Sequence, residues 1–396
     1  MVGPVKVGVV GLGRGLMLTL PALVDNPAIV IAGAFDPQLD RAQQFSLEHS
    51  ARAFRTYEEL LADREIEAIY LATPHQLHAE QTIAAAVAGK HVLVEKPMAT
   101  GIEECVRMVA ACSASNVILI VGPSHGSDPA VRLAADLVSS NRFGPVRMVT
   151  SLNYTDFMYR PRRPEELDPA KGGGVVFSQA AHQIDIVRRI VGKPIASVSA
   201  VTGNWDPKRK SDGAYTALLT FADGVAATLT YSGYAHYDSD ELVGWISELG
   251  HAKDPSRYGE TRRNLATLTR DESSAKMERA YGPSNGHGAA APRHHEHFGF
   301  IIVSCDHADL KILPGGVEIY GNDSVQFTQL APSERPRLAV IDEFAAAIRG
   351  TREPRHDGQW GLETTAICSA LMLSSQNKTP IDPNRLIAQT KERMLP

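Results

Sequence analysis

The sequence predicts an α/β protein. A doubly wound parallel sheet comes first, and an α+β domain with a largely antiparallel sheet follows. Three observations carry this expectation. Short β-branched runs alternate with longer amphipathic stretches from Val5 to Val121. A glycine-rich turn, Gly11-Leu12-Gly13-Arg14-Gly15, joins the first run to the first amphipathic stretch. Beyond Gly122-Pro123, strand-like runs succeed one another with hairpin signals between them.

The first-half runs are Val5–Val10, Ile29–Phe35, Ala68–Ala72, His91–Val94 and Val117–Val121. Runs apolar throughout suit parallel strands covered on both faces. The stretches between them, such as Gln38–His49 and Ala79–Ala88, have helical spacing. Strand, helix and strand repeated in this way build an open sheet with helices on both sides. The domain boundary is placed at 123, giving domains 1–123 and 124–396.

In the second half, a helix over Pro129–Ser139 precedes a turn at Gly144-Pro145. Strands are expected at Val146–Asn153, Ala196–Thr202, Tyr215–Phe221 and Val225–Tyr231. Asp223-Gly224 between two alternating runs is a hairpin signal. A basic loop, Tyr159–Arg163, and a triple glycine, Gly172–Gly174, lead into a helix from Ser178 to Val191. Further strands are expected at Phe300–Ser304, Leu310–Leu313 and Val317–Tyr320, and helices at Leu338–Arg349 and Leu362–Ser375. Residues 254–293 read as an inserted arm or lid, charged and helical at first, with a mobile Gly- and Ala-rich tip at Gly282–Pro292.

Composition excludes several classes of function. The 396 residues carry 40 basic and 45 acidic side chains, a net charge of −5, so neither nucleic acid nor an anionic membrane is expected as a partner. No apolar run approaches the ~18–20 residues of a membrane span, and no leader-like segment is recognised, so a cytoplasmic protein is expected. The four cysteines (Cys105, Cys112, Cys305, Cys368) lack CxxC spacing and read as reduced thiols. His294-His295-Glu296-His297 matches no common zinc pattern, and no metal is expected.

Two constellations carry chemistry. In the glycine turn, the absence of side chains lets the backbone approach a pyrophosphate, whose charge a helix N-terminus favours. Leu16 stands where the usual third glycine would fall. Asp36 ends the second strand, 23 residues beyond Gly13, where a carboxylate accepts from adenosine ribose hydroxyls and repels a 2′-phosphate. The pattern therefore points to a Rossmann-type site for NAD rather than NADP. Thr73-Pro74-His75 and Glu95-Lys96-Pro97 each follow a strand, on the side of an open sheet where ligands bind. A lysine enclosed there beside a cationic nicotinamide has a lowered pKa or donates to a substrate oxygen. In the second half, Ser178, His182 and Asp185 are spaced i, i+4, i+7 and would share one helical face, with His182 a candidate base. A packed structural histidine is the other reading. His125 and Asp128 lie just past the boundary, facing the expected cleft.

These residues resemble the Gfo/Idh/MocA oxidoreductases over nearly the whole chain. The likeness rests on the glycine loop, Asp36, Glu95-Lys96-Pro97, the triple glycine with His182 and Asp185, and the tail Gly350–Ile381. It implies an NAD-dependent dehydrogenase in which Lys96 and His182 flank the reacting carbon. Gly11, Gly13, Arg14, Asp36, Thr73, Pro74, His75, Glu95 and Lys96 would hold the cofactor. It also implies a homo-oligomer, dimer or tetramer, packed through the outer face of the second sheet around runs such as Ala226–Tyr231. Two positions depart from family members that act on sugars and inositols: Ser178 stands for an aspartate and Ala180 for a glycine. Segments 72–76, 153–163, 172–182 and 231–240 resemble a branch that oxidises the 4,5-cis-dihydrodiol of phthalate to 4,5-dihydroxyphthalate. That likeness implies Arg160, Arg162 and Arg163 as donors to substrate carboxylates, with Ser178, Asp185 and His236 lining the same pocket. Two rivals remain: a sugar or inositol dehydrogenase, against which Ser178 and the arginine loop weigh, and a dinucleotide-sensing regulator without turnover, against which Lys96 and His182 weigh.

Overall fold

The computed structural model describes residues 3–282, 292–332 and 335–394. The first half forms six parallel strands: β1 (Val5–Val10), β2 (Ile29–Phe35), β3 (Arg52–Ala53), β4 (Ala68–Leu71), β5 (His91–Val94) and β6 (Leu119–Val121). Their order is β3-β2-β1-β4-β5-β6, so the direction of winding reverses at β1. Helices α1 (Arg14–Asp25), α2 (Leu39–Glu48), α3 (Tyr57–Ala62), α4 (His78–Val87) and α5 (Ile102–Ala114) connect them. All four residues of β4 are buried, as strands covered on both faces require. The crevice beyond the carboxyl ends of β1 and β4, at this switch point, is where an open α/β sheet binds ligands.

The second half opens with α6 (Pro129–Ser139) and then builds an eight-stranded sheet. Its members are β7 (Val146–Tyr154), β8 (Ile195–Gly203), β9 (Ala214–Phe221), β10 (Ala226–Ser232), β11 (Phe300–Cys305), β12 (Ala308–Leu313), β13 (Gly316–Gly321) and β14 (Val325–Gln329). The order is β14-β13-β12-β11-β7-β10-β9-β8, antiparallel except where β10 runs parallel to β7. Helix α7 (Ala181–Val191) packs on one face. The helix expected from Ser178 begins instead as a π-helical turn over Val176–Ala180. The other face carries Met148, Val201 and Leu218 in the open. The run expected to supply apolar cover there is split by the pleat. Ala227, Leu229 and Tyr231 point into the core, leaving Ala226, Thr228 and Thr230 outside.

The arm contributes α8 (Glu260–Ala266) and α9 (Glu272–Met277), and the chain then reaches the first domain at Tyr281. The Gly- and Ala-rich tip lies almost wholly outside the described residues. Three helices end the chain: α10 (Leu338–Ile348), α11 (Gly358–Asn377) and α12 (Pro383–Arg393). Val340, Ile341 and Phe344 of α10 share a core with Leu12, Leu16 and Val9, and Leu362 and Ala366 of α11 share one with Val94 and Met98. The C-terminal segment thus returns to the first sheet and holds the two domains against one cleft.

Candidate active site

The glycine turn bends where β1 meets α1. Gly11 has φ +86°, and a Cβ there would lie 2.9 Å from Thr73 Cγ2. Gly13 caps α1, and a Cβ on it would have nothing within 4 Å. The open space lies at the N-terminus of a twelve-residue helix with no acid in its first turn, a cradle that fits a pyrophosphate. Asp36 is buried, and its carboxylate accepts from the Leu12 N–H (2.9 Å) and the Gln38 N–H (2.9 Å). Arg41 stands 3.3 Å from Oδ1 and partly neutralises the charge expected to repel a 2′-phosphate. Asp36 therefore also ties the glycine loop to β2, a role that its position alone does not reveal.

His78 locks the two other loops together. Its buried ring contacts the Pro97 carbonyl (3.1 Å) and the Thr73 carbonyl (3.0 Å). Burial pushes its pKa down to about 4 against the opposing pull of these two carbonyls. Thr73 Oγ1 donates to Gln81 (2.6 Å), and His75 Nε2 meets the Lys171 carbonyl (3.1 Å) across the interdomain cleft. Glu95 differs from expectation. It accepts from the Tyr70 hydroxyl (2.6 Å) and lies 3.7 Å from Arg337, beneath the glycine loop rather than open to a cofactor.

Lys96 Nζ donates to the Ser178 carbonyl at 2.8 Å. That carbonyl lies in the π turn, a wide turn of a kind often found at functional sites. The Ser178 hydroxyl turns back to the Gly174 carbonyl (2.6 Å), so its side chain does not face the substrate as expected. Burial lowers the Lys96 pKa to about 8, with Arg337 and Arg162 adding to the effect against Glu95 and Glu248. His182 is buried with Nδ1 unpaired among the described residues. Burial, then Lys96 and His125, hold its pKa well below the ordinary imidazole value. The His125 ring meets it edge-on at 4.5 Å, and Phe298 lies 4.8 Å away. Burial opposes charge on His125 too, but Asp128, 2.6 Å away, outweighs it and raises its pKa. Sequence reasoning noticed His125 and Asp128 but assigned them no partner.

Asp185 faces the same turn as His182, through Gly126 where His182 meets His125. It accepts from the Gly126 N–H (2.7 Å) and from Trp360 Nε1 (2.7 Å), and lies 3.5 Å from His356, which in turn is 3.1 Å from Glu343. Burial opposes ionisation of Asp185, yet His356 and these donors hold it well below the usual carboxylate range. This buried group joins α7 to α10 and α11.

The three arginines also separate. Arg160 is matched by Asp156 (3.2 Å) and Glu248 (3.8 Å), and Arg163 by Glu165 (3.1 Å) and Glu166 (3.7 Å). Arg162 has no carboxylate within ion-pair distance among the described residues. Its guanidinium lies over the Phe157 ring at 3.5 Å, donates to the Phe157 carbonyl (2.7 Å) and leaves a buried Nε unpaired. Phe157 in turn meets Tyr231 edge-on, which sets Arg162 beside the aromatic group around Phe298. The wall there is aromatic. Tyr231 stacks 10° from parallel with Phe298 at 6.3 Å, and Phe157 meets it edge-on. His236 is exposed and lines a separate cavity with Thr155, Trp245 and Arg257, outside this cleft. The histidine run near 295 is used by the fold. His295 bonds the Ala331 carbonyl and His297 the Ile246 carbonyl. Among the described residues no group of three or more His, Cys, Asp or Glu could hold a metal, and no helix is long and apolar enough to cross a membrane.

Comparison with known proteins places this geometry. Residues 5–123 match the oxidoreductase family model described as an NAD-binding Rossmann fold, and 131–246 match the GFO/IDH/MocA C-terminal domain. The 1-carboxy-3-chloro-3,4-dihydroxycyclohexa-1,5-diene dehydrogenase of Comamonas testosteroni is 42% identical over 372 residues, 93% of this chain and 94% of its own. The chain belongs to the Gfo/Idh/MocA oxidoreductase family. It is an NAD-dependent dehydrogenase. A crystal structure of a dehydrogenase-family protein from Bordetella bronchiseptica RB50 superposes with a TM-score of 0.90 at 38% identity, covering 96% of this chain and all of that one. A levoglucosan dehydrogenase solved with NADH and levoglucosan shares the fold alone, at 18% identity, with a TM-score of 0.72 over 96% of this chain and 99% of that one. In this Gfo/Idh/MocA chain Lys96 and Asp185 line one cavity, His182 and His125 a neighbouring one, and His236 a separate one.

Proposed function

We propose that this protein oxidises a carboxylated cis-dihydrodiol to the corresponding catechol, with the 4,5-cis-dihydrodiol of phthalate as the foremost substrate. The observation that carries the reading is the cavity's composition. Half-buried Arg162, with no carboxylate partner among the described residues, lies over Phe157, which meets Tyr231 edge-on; Tyr231 stacks with Phe298, and Phe298 meets His182. An aromatic wall favours a flat ring over a polyol, and a guanidinium with a buried unpaired nitrogen favours a carboxylate. A single free arginine also favours a second reading, a monocarboxylate such as the chloro-substituted diol named for the Comamonas relative.

NAD, held by the glycine loop and Asp36, would supply the hydride acceptor for the carbinol carbon. The protein's own residues handle the proton. Lys96, with a pKa near 8, is matched to the task of general base at neutral pH, and the Ser178 carbonyl fixes its position. His182 offers its unpaired Nδ1 to a substrate hydroxyl, and burial first, then the charges of Lys96 and His125, disfavour its taking a proton itself. Arg162 orients the ring through its carboxylate. The ketone that forms tautomerises to the catechol, and the aromaticity gained draws the reaction forward.

A substrate panel tests this. Purified protein with NAD is offered the phthalate cis-dihydrodiol, the chloro-carboxy diol, an uncarboxylated cis-dihydrodiol and inositol. The reading expects kcat/KM highest for a carboxylated diol, by about 10²-fold over the uncarboxylated one, the scale of a lost charged hydrogen bond. Preference for inositol would overturn it.

A further inference from the structure

We propose that Arg279, carried on the arm of the second domain, binds the cofactor's pyrophosphate and forms with Arg14 a two-sided guanidinium clamp across the dinucleotide cleft. The proposal rests on the NAD reading and adds to it a residue from outside the Rossmann domain.

The arm is fastened to the glycine loop. The Tyr281 N–H donates to the Leu12 carbonyl (3.0 Å), within the loop itself. The Tyr281 side chain is buried. Its ring meets Phe45 edge-on at 5.0 Å, and its hydroxyl bonds Glu48 on α2. Arg279, two residues earlier, is therefore held close to the first turn of α1, where Arg14 stands. Arg279 is exposed and lines a cavity of ≈1160 Å³ together with Gln38, Arg41 and Arg160.

Charge balance singles out these two side chains. Four other arginines nearby have matched partners, Arg270 with Glu278, Arg209 with Glu272, Arg160 with Asp156 and Glu248, and Arg337 with Glu296 and Glu95, and Arg162 is held on the ring and carbonyl of Phe157. Arg14 and Arg279 have no acidic partner among the described residues. Every charge acting on Arg14 is another guanidinium, Arg279 first and then Arg337 and Arg160. Two like charges held side by side repel, and a doubly charged anion between them reverses the sign of the interaction. The open cradle at Gly13 and the N-terminus of α1 favour an anion in the same place. Guanidinium forks match phosphate oxygens two at a time. The dinucleotide's pyrophosphate has the charge and the reach for both.

The test is fluorescence titration of full-length protein with NADH, and competition with ADP-ribose and with adenosine. Arg279→Gln is expected to raise the Kd of NADH and of ADP-ribose about tenfold and leave adenosine unchanged. It is also expected to flatten the salt dependence of binding. Arg279→Lys should recover part of the loss, and Tyr281→Ala, which frees the arm, should reproduce it with Arg279 intact. NADH affinity of Arg279→Gln within twofold of the parent would overturn the proposal alone. A parent that binds neither NADH nor ADP-ribose would overturn the NAD reading and the proposal with it.

Discussion

Replacing Lys96 by methionine separates its catalytic value from its structural cost. Burial lowers its pKa from 10.5 to about 8. At about 1.36 kcal/mol per pH unit, the folded protein bears a cost of about 3 kcal/mol for holding the charged form. The folded amine loses its proton before the unfolded one. The cost is thus fully present below pH 8 and is relieved as pH climbs to 10.5, and stability rises with pH across that window. Methionine removes this cost and also the bond to the Ser178 carbonyl, a loss of about 1 kcal/mol. Lys96→Met should therefore be about 2 kcal/mol more stable than the parent at pH 7, with the advantage gone by pH 10.5. Its kcat should fall about 10²–10⁴-fold. Urea unfolding at the two pH values, with rate measurements from pH 6.5 to 9.5, reads both effects. The parent's kcat/KM should rise with pH through about 8 as Lys96 becomes free to accept a proton. A variant no more stable than the parent at pH 7, together with a flat pH profile, would refute the assignment.

Four further outcomes are expected. Arg162→Lys should raise KM for a carboxylated diol about tenfold or more with little change in kcat, because an ammonium cannot make the planar two-point contact. An unchanged KM would remove Arg162 from the substrate site. Asp36→Ala should weaken NADH binding by about 1–3 kcal/mol and, by freeing Arg41, improve NADPH binding. Titrations showing neither change would leave Asp36 as a loop tie alone. His356→Gln should cost about 3 kcal/mol at pH 6, because it strands Asp185 and Glu343. The His356 pKa is raised to about 9, so the stability this residue adds is complete below pH 6.5 and is lost as pH passes 9. Chemical denaturation should show the gap closing there, and equal stability at pH 6 would contradict the buried network. The exposed Met148, Val201 and Leu218 face should pair copies of the chain, and light scattering that gives a monomer mass at micromolar concentration would rule that out.

The features legible in the sequence are those set by local pattern. β1, β2 and β5 coincide with their apolar runs, because strands covered on both faces are apolar at nearly every position. Two-residue β3 and exposed β14 carry no such signal, and α12, with its largely polar surface, was not anticipated. At the site, Lys96 and the glycine loop were legible from strand-end position. The roles of Asp185 and the arginines were not, because distant partners decide them. Asp185 is claimed by Trp360 and His356, about 170 residues away in the chain. Arg160 and Arg162 look alike in sequence, and only Asp156 and Glu248 separate them. The π turn that exposes the Ser178 carbonyl has no composition signature, and Tyr281 gives no hint in sequence that it docks on Leu12.

The central claim, that this Gfo/Idh/MocA enzyme removes hydride from the ring carbinol of a carboxylated cis-diol, is tested most directly by isotope transfer. The phthalate cis-dihydrodiol, and in parallel a monocarboxylated cis-dihydrodiol with hydrogen on both carbinol carbons, is labelled with deuterium at the ring carbinol carbons and incubated with the protein and NAD. Mass spectrometry of both products then follows the label. The account predicts one deuterium in the reduced nicotinamide for each catechol formed, with a slowed hydride-transfer step. Failure of both diols to give labelled NADH, alongside rapid reduction of NAD by an uncarboxylated polyol, would contradict it.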